Sequence, residues 1–239
     1  YILWRLTSIC AIFGSANFKT YKNLYGLCKD RGNFAYGAIY LANTNTGKYL
    51  TTVKSEGTVE LNKRDEFVYE KTTLMFDEMS LYLGHTQAPT SSVRVFTEAT
   101  SHPFRCDKWV VAHNGVLTNF NKLKTYVKRK RNYNEVDSSI IPALLDAFSE
   151  KSDNEVDVIT EVLSLLEGTF GVWIYSIISN NVYVARSGST IYGDFLTNDF
   201  SSLPYKHFVP YKEGILYMLT SEGTTEISDF SPNSPFFII

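Results

Sequence analysis

An α+β domain of mostly antiparallel strands is the fold class this sequence predicts, on three observations. Apolar positions with helical spacing cluster in mid-chain, and strand-like apolar runs lie on both sides of them. Most of those runs are joined by short polar turns such as Ser179-Asn180-Asn181, which suit antiparallel neighbours. No internal repeat, low-complexity stretch or linker interrupts the 239 residues, so one large domain is expected.

Each element has its own signal. Residues 16–30 place Tyr21, Leu24, Leu27 and Cys28 on one face, which predicts an amphipathic helix before Arg31-Gly32. Residues 34–53 read as a hairpin, with Ala38–Leu41 and Tyr49–Val53 flanking a polar loop at 43–47. Residues 79–86 and 108–112 read as buried strands that each end in a loop. The stretch 97–107 reads as a polar loop. Asn119–Arg131 is predicted helical with a basic tail, and Asp137–Phe148 is a second helix in which Pro142 sits early, where a missing N–H does least harm. A third helix over 154–166 is expected to stop at Gly168. Strands follow at 169–177, 181–186, 206–209 and 214–220.

Composition narrows the class. With 44% hydrophobic and 15% aromatic residues and only 7 prolines, the chain is a packed globule rather than a disordered one. A chain this long buries about 70–75% of its unfolded surface and needs no staples. A net charge of −2 points to neither nucleic acid nor membrane, and no apolar run approaches the ~18 residues of a transmembrane helix. Tyr1–Ile9 is apolar but lacks a basic leader and a small-residue cleavage site, so a secretory signal is not expected; nor is there an initiator Met. Three cysteines, Cys10, Cys28 and Cys106, without metal-ligand spacing, fit a reducing cytoplasm, and no metal is expected. The basic cluster Lys122, Lys124, Lys128–Arg131 reads as a solvated helix end.

The chemistry-bearing segment is His113-Asn114-Gly115, set after Trp109-Val110-Val111-Ala112. A strand ending in Asn-Gly offers a side-chain amide beside a backbone N–H, a pair that can hold an oxyanion; Asn-Gly is equally a common tight turn. Cys10, in Cys10-Ala11-Ile12-Phe13-Gly14, could supply a nucleophile, although a cysteine in an apolar strand is commonly an inert buried thiol. Further segments fall in order along the chain: Arg31–Gly37, Gly84-His85-Thr86-Gln87-Ala88-Pro89-Thr90, His102-Pro103-Phe104, Val136–Ile141, Gly168–Gly171 and Val184-Ala185-Arg186. Together these resemble the glutaminase domain of class II glutamine amidotransferases, in the N-terminal-nucleophile hydrolase superfamily. The resemblance covers nearly the whole chain.

What the resemblance implies is a four-layer α/β/β/α sandwich of two mostly antiparallel sheets with the nucleophile on the first core strand. It implies hydrolysis of the glutamine side-chain amide through a cysteine thioester, without a cofactor. Cys10 matches the nucleophile, and the Asn114 amide and the Gly115 N–H match the oxyanion donors. Asp137 matches the carboxylate that binds the substrate α-amino group, a role compatible with capping a helix. Arg31 matches the arginine that braces the nucleophile strand. Thr90, Gln87 and His113 complete the substrate side. Along with His85 and His102, His113 reads as a loop-orienting or core group. Glutamine is then the substrate, and ammonia passes to a synthetase or ligase partner in trans.

Two departures stand out. At Gln87 glutamine-hydrolysing family members carry an arginine, and a neutral amide cannot replace a bidentate guanidinium on a carboxylate. Arg94 is the available substitute, or the substrate lacks that carboxylate. The family's general base is the free amino group of the nucleophilic cysteine, and here nine residues precede Cys10. Residues 1–9 are therefore expected to be an extension or propeptide ahead of a domain at 10–239, active only once Cys10 becomes the N-terminus. The alternative is an inactive module of this fold with a structural or binding role.

Overall fold

A computed structural model describes residues 10–44, 47–61, 81–88, 96–127, 133–232 and 234–235. Tyr1–Ile9, Thr90, Arg94 and the basic run 128–131 lie outside them. The strands are β1 (Ala11–Ser15), β2 (Ala35–Thr44), β3 (Gly47–Glu56), β4 (Leu81–Gln87), β5 (Phe104–Arg105), β6 (Trp109–Leu117) and β7 (Glu167–Ser176). They continue as β8 (Val182–Ser187), β9 (Tyr192–Asp194), β10 (Asp199–Ser201), β11 (Val209–Pro210), β12 (Ile215–Thr220), β13 (Gly223–Asp229) and β14 (Ser234–Pro235). The helices are α1 (Phe18–Cys28), α2 (Phe120–Leu123), α3 (Ile140–Phe148) and α4 (Glu155–Leu165).

Two sheets form, one in the order β11-β9-β10-β1-β4-β2-β3 and the other β13-β12-β8-β7-β6-β5. Among the described strands every ladder is antiparallel except β14 on β7. Three cores define the layers. Ile12, Ile39 and Leu83 of the first sheet meet Val110, Ala112, Trp173 and Val184 of the second. The outer face of the first sheet packs on α1 through Phe13, Tyr21, Leu24, Tyr36 and Tyr40. Behind the second sheet, α3 and α4 pack on Val111, Phe170, Val172 and Ile174. The layering is therefore α/β/β/α, as the sequence resemblance implied. No helix among the described residues is long and apolar enough to cross a membrane.

Local chemistry explains the helix ends. Asn17 caps α1 by accepting from Thr20 N–H, and Asn154 caps α4 by accepting from Val156 N–H. All nine residues of α3 are buried, eight of them apolar and the ninth Asp146. Its Asp146 carboxylate accepts from the N–H groups of Asp107 and Lys108 at 2.8 and 3.0 Å and so pins the turn that launches β6.

Several sequence expectations need correction. Over the described part of the helix expected at 119–131, residues 119–127, the structure has the single turn α2 followed by a 3₁₀ turn at Lys124–Tyr126, with Val127 already extended. The Thr125 hydroxyl takes the Lys122 carbonyl and competes with the helical ladder. Gly168 does not cap α4: Leu166 is already extended, and Gly168 lies within β7, where a Cβ would strike the Val116 carbonyl. The expected loop at 97–107 contains the short strand β5, and the strand expected over 206–209 is reduced to β11. Strands β9, β10 and β13 were not foreseen, being short or rich in polar residues.

Candidate functional site

Strand alternation assigns the faces. In β1, Ala11 and Phe13 enter the α1 core while Ile12 enters the core between the sheets, and Cys10 stands immediately before the strand. In β6, Val110 and Ala112 face between the sheets while Trp109 and Val111 face the helices, so Asn114 shares the inter-sheet side and His113 the helix side. Strand β1 packs against β6 and β7 with Cα atoms within 8 Å. Ser202, just past β10, joins them: its Oγ lies 3.0 Å from Ile12 N and 3.1 Å from Asn114 Nδ2. One hydroxyl thus joins Asn114 to Ile12, two residues on from Cys10, across the two sheets.

Cys10 is buried, with 8% of its surface exposed. The Ala88 N–H donates to its sulfur at 3.5 Å and the thiol approaches the Ala88 carbonyl at 3.6 Å. The first contact persists in a thiolate, and the second requires the proton. Arg31 lies within electrostatic range. Burial lowers the pKa of its guanidinium, while Cys28 and Cys10 act in the opposite direction. The turn that carries Arg31 rests on the end of β4, because a Cβ at Gly32 would sit 2.7 Å from Gln87 N. Cys28 differs sharply from Cys10. Burial pushes its thiol up to about 12, against the pull of Ser201 Oγ at 3.4 Å and of Arg31. All three cysteines are free thiols.

The Asn-Gly pair is not a turn. Strand β6 runs straight through it, with Asn114 opposite Gly171 and Gly115 opposite Phe170. Gly115 has φ +150°, and a Cβ there would collide with the Thr169 carbonyl. A glycine at this point lets the two strands close on each other. The turn signal misleads because the partner strand β7, 50 residues on, decides the conformation.

His113 lies behind the strand. Its Nε2 faces the Thr169 carbonyl at 3.2 Å and, since a carbonyl only accepts, carries the proton; Nδ1 faces Ser138 Oγ at 2.8 Å. Burial lowers its pKa, against the opposing pull of Asp137, so the ring stays neutral. Asp137 accepts from Leu117 N–H at 2.9 Å and from Ser138 N–H at 2.9 Å, which fixes its carboxylate at the end of β6. Gln87 is buried in β4, and its Oε1 accepts from His102 N and Nδ1, both at 3.4 Å. His102 stacks on His85, with ring centroids 3.9 Å apart, and His85 Nε2 donates to the His113 carbonyl. His85 and His102 thus stack on each other, and His85 reaches the strand whose helix side carries His113.

Sequence reasoning missed a run of hydroxyl residues beside Asn114. Ser189 Oγ donates to the Asn114 carbonyl, Thr190 Oγ1 donates to the Ser202 carbonyl, and Arg186 holds the loop through Ser189 O and Tyr211 O. Only Arg186 stood in a motif; Ser202 has no signal in sequence. A cavity of about 770 Å³ opens at the opposite end of the strands, lined by Leu41, Leu81, Tyr175 and Leu219, and contains none of the site residues.

No family model matches the chain. A 7-cyano-7-deazaguanine synthase from Saccharolobus solfataricus is 27% identical over 152 residues, covering 61% of this chain and 29% of the relative. A glutamine–fructose-6-phosphate aminotransferase from Clostridium acetobutylicum is 30% identical over 152 residues, 59% of this chain and 25% of the relative. The chain thus spans less than a third of the length of these curated relatives. Among solved structures, the glutamine phosphoribosylpyrophosphate amidotransferase from B. subtilis superposes over 94% of this chain and 50% of its own, with TM-score 0.61 and 19% identity. A glutamine aminotransferase class-II domain protein from Silicibacter pomeroyi matches over 93% of this chain and 99% of its own, with TM-score 0.54 and 13% identity. The structural matches establish the fold. With the sequence similarity, they bear out the resemblance to the class II glutamine amidotransferase domain.

Proposed function

We propose that this domain, of class II glutamine amidotransferase fold, is a glutaminase that releases ammonia for a separate synthetase or ligase. The Cys10 sulfur attacks the side-chain carbonyl of glutamine, and the carbonyl electron pair moves onto oxygen. The Asn114 amide and the Gly115 N–H receive that charge. The pair returns, the C–N bond breaks, and nitrogen leaves as ammonia with the proton the base has taken. Water then cleaves the γ-glutamyl thioester to glutamate and restores the thiol. The base is the Cys10 amino group, freed by cutting Ile9–Cys10; its ordinary pKa near 7.7–8.0 suits neutral pH. Residues 1–9 act in this reading as a propeptide to a domain at 10–239. Asp137 binds the substrate α-amino group, Arg31 braces the nucleophile strand, and Thr90 completes the substrate side. Three free thiols suit a reducing compartment such as the cytoplasm.

The observation that supports this reading is that the Ser202 hydroxyl joins Ile12, two residues on from Cys10, to Asn114 of the opposite sheet. Glutamine stands in the names of the aminotransferase and amidotransferase relatives, and the synthase relative is more than three times as long as the matched segment. Protein beginning at Cys10 is expected to release glutamate from glutamine, and Cys10→Ala to abolish release. Failure of the Cys10 form to hydrolyse glutamine or to react with a glutamine-like electrophile overturns the reading.

One observation favours a second reading, an inactive module of the same fold. Gln87 supplies no cation at its position and turns its amide oxygen to His102. Intact-mass measurement on native protein separates the two: a species starting at Cys10 supports catalysis, and a retained Tyr1–Ile9 supports the module.

A further inference from the structure

The Asn114 side chain is 3% exposed, and its Oδ1 is buried without a hydrogen-bond partner among the described residues, while its Nδ2 faces Ser202 Oγ at 3.1 Å. Ser202 Oγ already accepts from Ile12 N–H at 3.0 Å. With Nδ2 also donating to it, the hydroxyl proton of Ser202, itself fully buried, has no acceptor among the described residues. Two defects then sit side by side: a stranded amide oxygen and a stranded hydroxyl proton. A half-turn of the amide about its terminal side-chain bond removes both, because the two ends of an amide have nearly the same shape. The hydroxyl then donates to Oδ1, and the NH₂ group takes the place of the orphan atom in the gap between the sheets.

We propose that Ser202 is the residue that sets the polarity of the Asn114 amide, accepting from Ile12 of the nucleophile strand and donating to Asn114 Oδ1 so that the amide NH₂ faces the gap between the sheets. Its hydroxyl reads both sheets at once. It acts only with an acceptor lone pair toward β1 and a proton toward β6, a combination that fixes which end of the amide is left over. The Ser202 backbone is held in turn, its N–H donating to the Ile12 carbonyl at 2.8 Å and its carbonyl accepting from Thr190 Oγ1 at 2.9 Å. Ser189 fixes the Asn114 backbone through its carbonyl at 3.0 Å. Ser202 is thus a positioning residue whose effect passes through Asn114.

The assignment of amide polarity stands on geometry alone, and its consequence for chemistry rests on the glutaminase reading. Two measurements keep them apart, the first on the full chain and the second on protein beginning at Cys10. Neutron diffraction from deuterated crystals locates the Ser202 Oγ deuteron: it is expected on the line to Asn114 Oδ1, and a deuteron elsewhere, or amide deuterons directed at Oγ, overturns the assignment. The second measurement is the affinity of Cys10 for glutamate γ-semialdehyde, whose carbon is attacked by sulfur to give a tetrahedral hemithioacetal, compared with the affinity for glutamate. Ser202→Ala is expected to weaken the aldehyde adduct at least 10-fold while changing glutamate binding less than 2-fold. The near-isosteric Ser202→Cys is expected to fall between, and Ser202→Ala to add nothing in an Asn114→Ala background. Equal loss for aldehyde and glutamate overturns the positioning role. A wild-type chain that binds neither ligand counts against the glutaminase reading, and the deuteron position then decides the amide assignment.

Discussion

The two sheets present their site residues in opposite ways. The first offers Cys10 immediately before β1, in contact with Ala88 and within electrostatic range of Arg31. The second offers Asn114 and Gly115 in the middle of β6, with β7 paired along the whole length. Their supports differ as well. Behind β1 lies an aromatic core in which the hydroxyls of Tyr21, Tyr36 and Tyr40 link at 2.7 and 3.0 Å; behind β6 lies an aliphatic core of Ile140, Leu144, Ile159 and Val162. The contrast teaches a division of labour. In the proposed reaction a nucleophile at a strand's end suits exposure of a new amino terminus, whereas oxyanion donors gain from being unable to move.

Asn114→Ala sharpens that contrast most. Loss of one oxyanion donor is expected to lower kcat by about 10²–10³, or roughly 2.7–4 kcal/mol of barrier, with little change in stability. Steady-state glutamine hydrolysis beside urea unfolding of the same variant checks both parts. A variant that unfolds instead would make Asn114 a structural residue.

Gly115→Ala attacks the same half through the backbone. Its methyl meets the Thr169 carbonyl at a positive φ, so a loss of about 3 kcal/mol is expected from strain and overpacking together. The urea midpoint measures it. A loss below about 1 kcal/mol would mean that β6 and β7 can separate locally, against the rigidity ascribed to this half.

On the aromatic side, Tyr36→Phe removes the central hydroxyl of the tyrosine chain. Burial and the flanking tyrosines raise the Tyr36 pKa, so the group is a neutral hydrogen-bonding link. About 1–2 kcal/mol is expected to be lost, with hydrolysis unchanged once the variant is folded. A change in kcat without a change in stability would tie the aromatic core directly to the nucleophile.

A pH series separates the halves further. The His113 pKa is lowered in the folded protein from the ordinary 6.5, chiefly by burial. Below that value the unfolded chain binds a proton that the folded protein refuses, so stability is full above pH 6.5 and falls as pH drops toward the native value. His113→Gln is expected to flatten this fall between about pH 7.5 and about pH 5.5. Asp199 works with the opposite sign, its pKa raised by burial, and stays common to both proteins. An unchanged slope would place the acid sensitivity outside β6.

What could be read in the sequence follows the same division. The helix α1, the β2–β3 hairpin and the strands β4, β7 and β8 were legible because their residues alternate or recur with a period that one face dictates. The conformation of Asn114-Gly115 was not, since a turn dipeptide becomes strand only when β7 lies alongside. Strands β9 and β10 carry Tyr192-Gly193-Asp194 and Asp199-Phe200-Ser201, too short and polar to stand out locally. The candidate residues Cys10, Arg31, Asn114, Gly115 and Asp137 were found through ordered motifs. Ser202 was not: a serine earns its place only where two sheets meet.

Gly26 supplies the smallest effect and the cleanest control. It lies exposed on α1, on the nucleophile side, and a Cβ there meets nothing within 4 Å. Gly26→Ala improves helix propensity and reduces the freedom of the unfolded chain, so a gain of about 0.5–1 kcal/mol is expected. The same exchange at Gly115 is expected to cost several times as much, which makes the pair a single test with opposite signs. Equal losses at both positions would mean that α1 is held by more than its caps and its buried face. Opposite signs, read from urea midpoints in one buffer, would locate the strict geometry of this fold in the strand that carries Asn114 and Gly115.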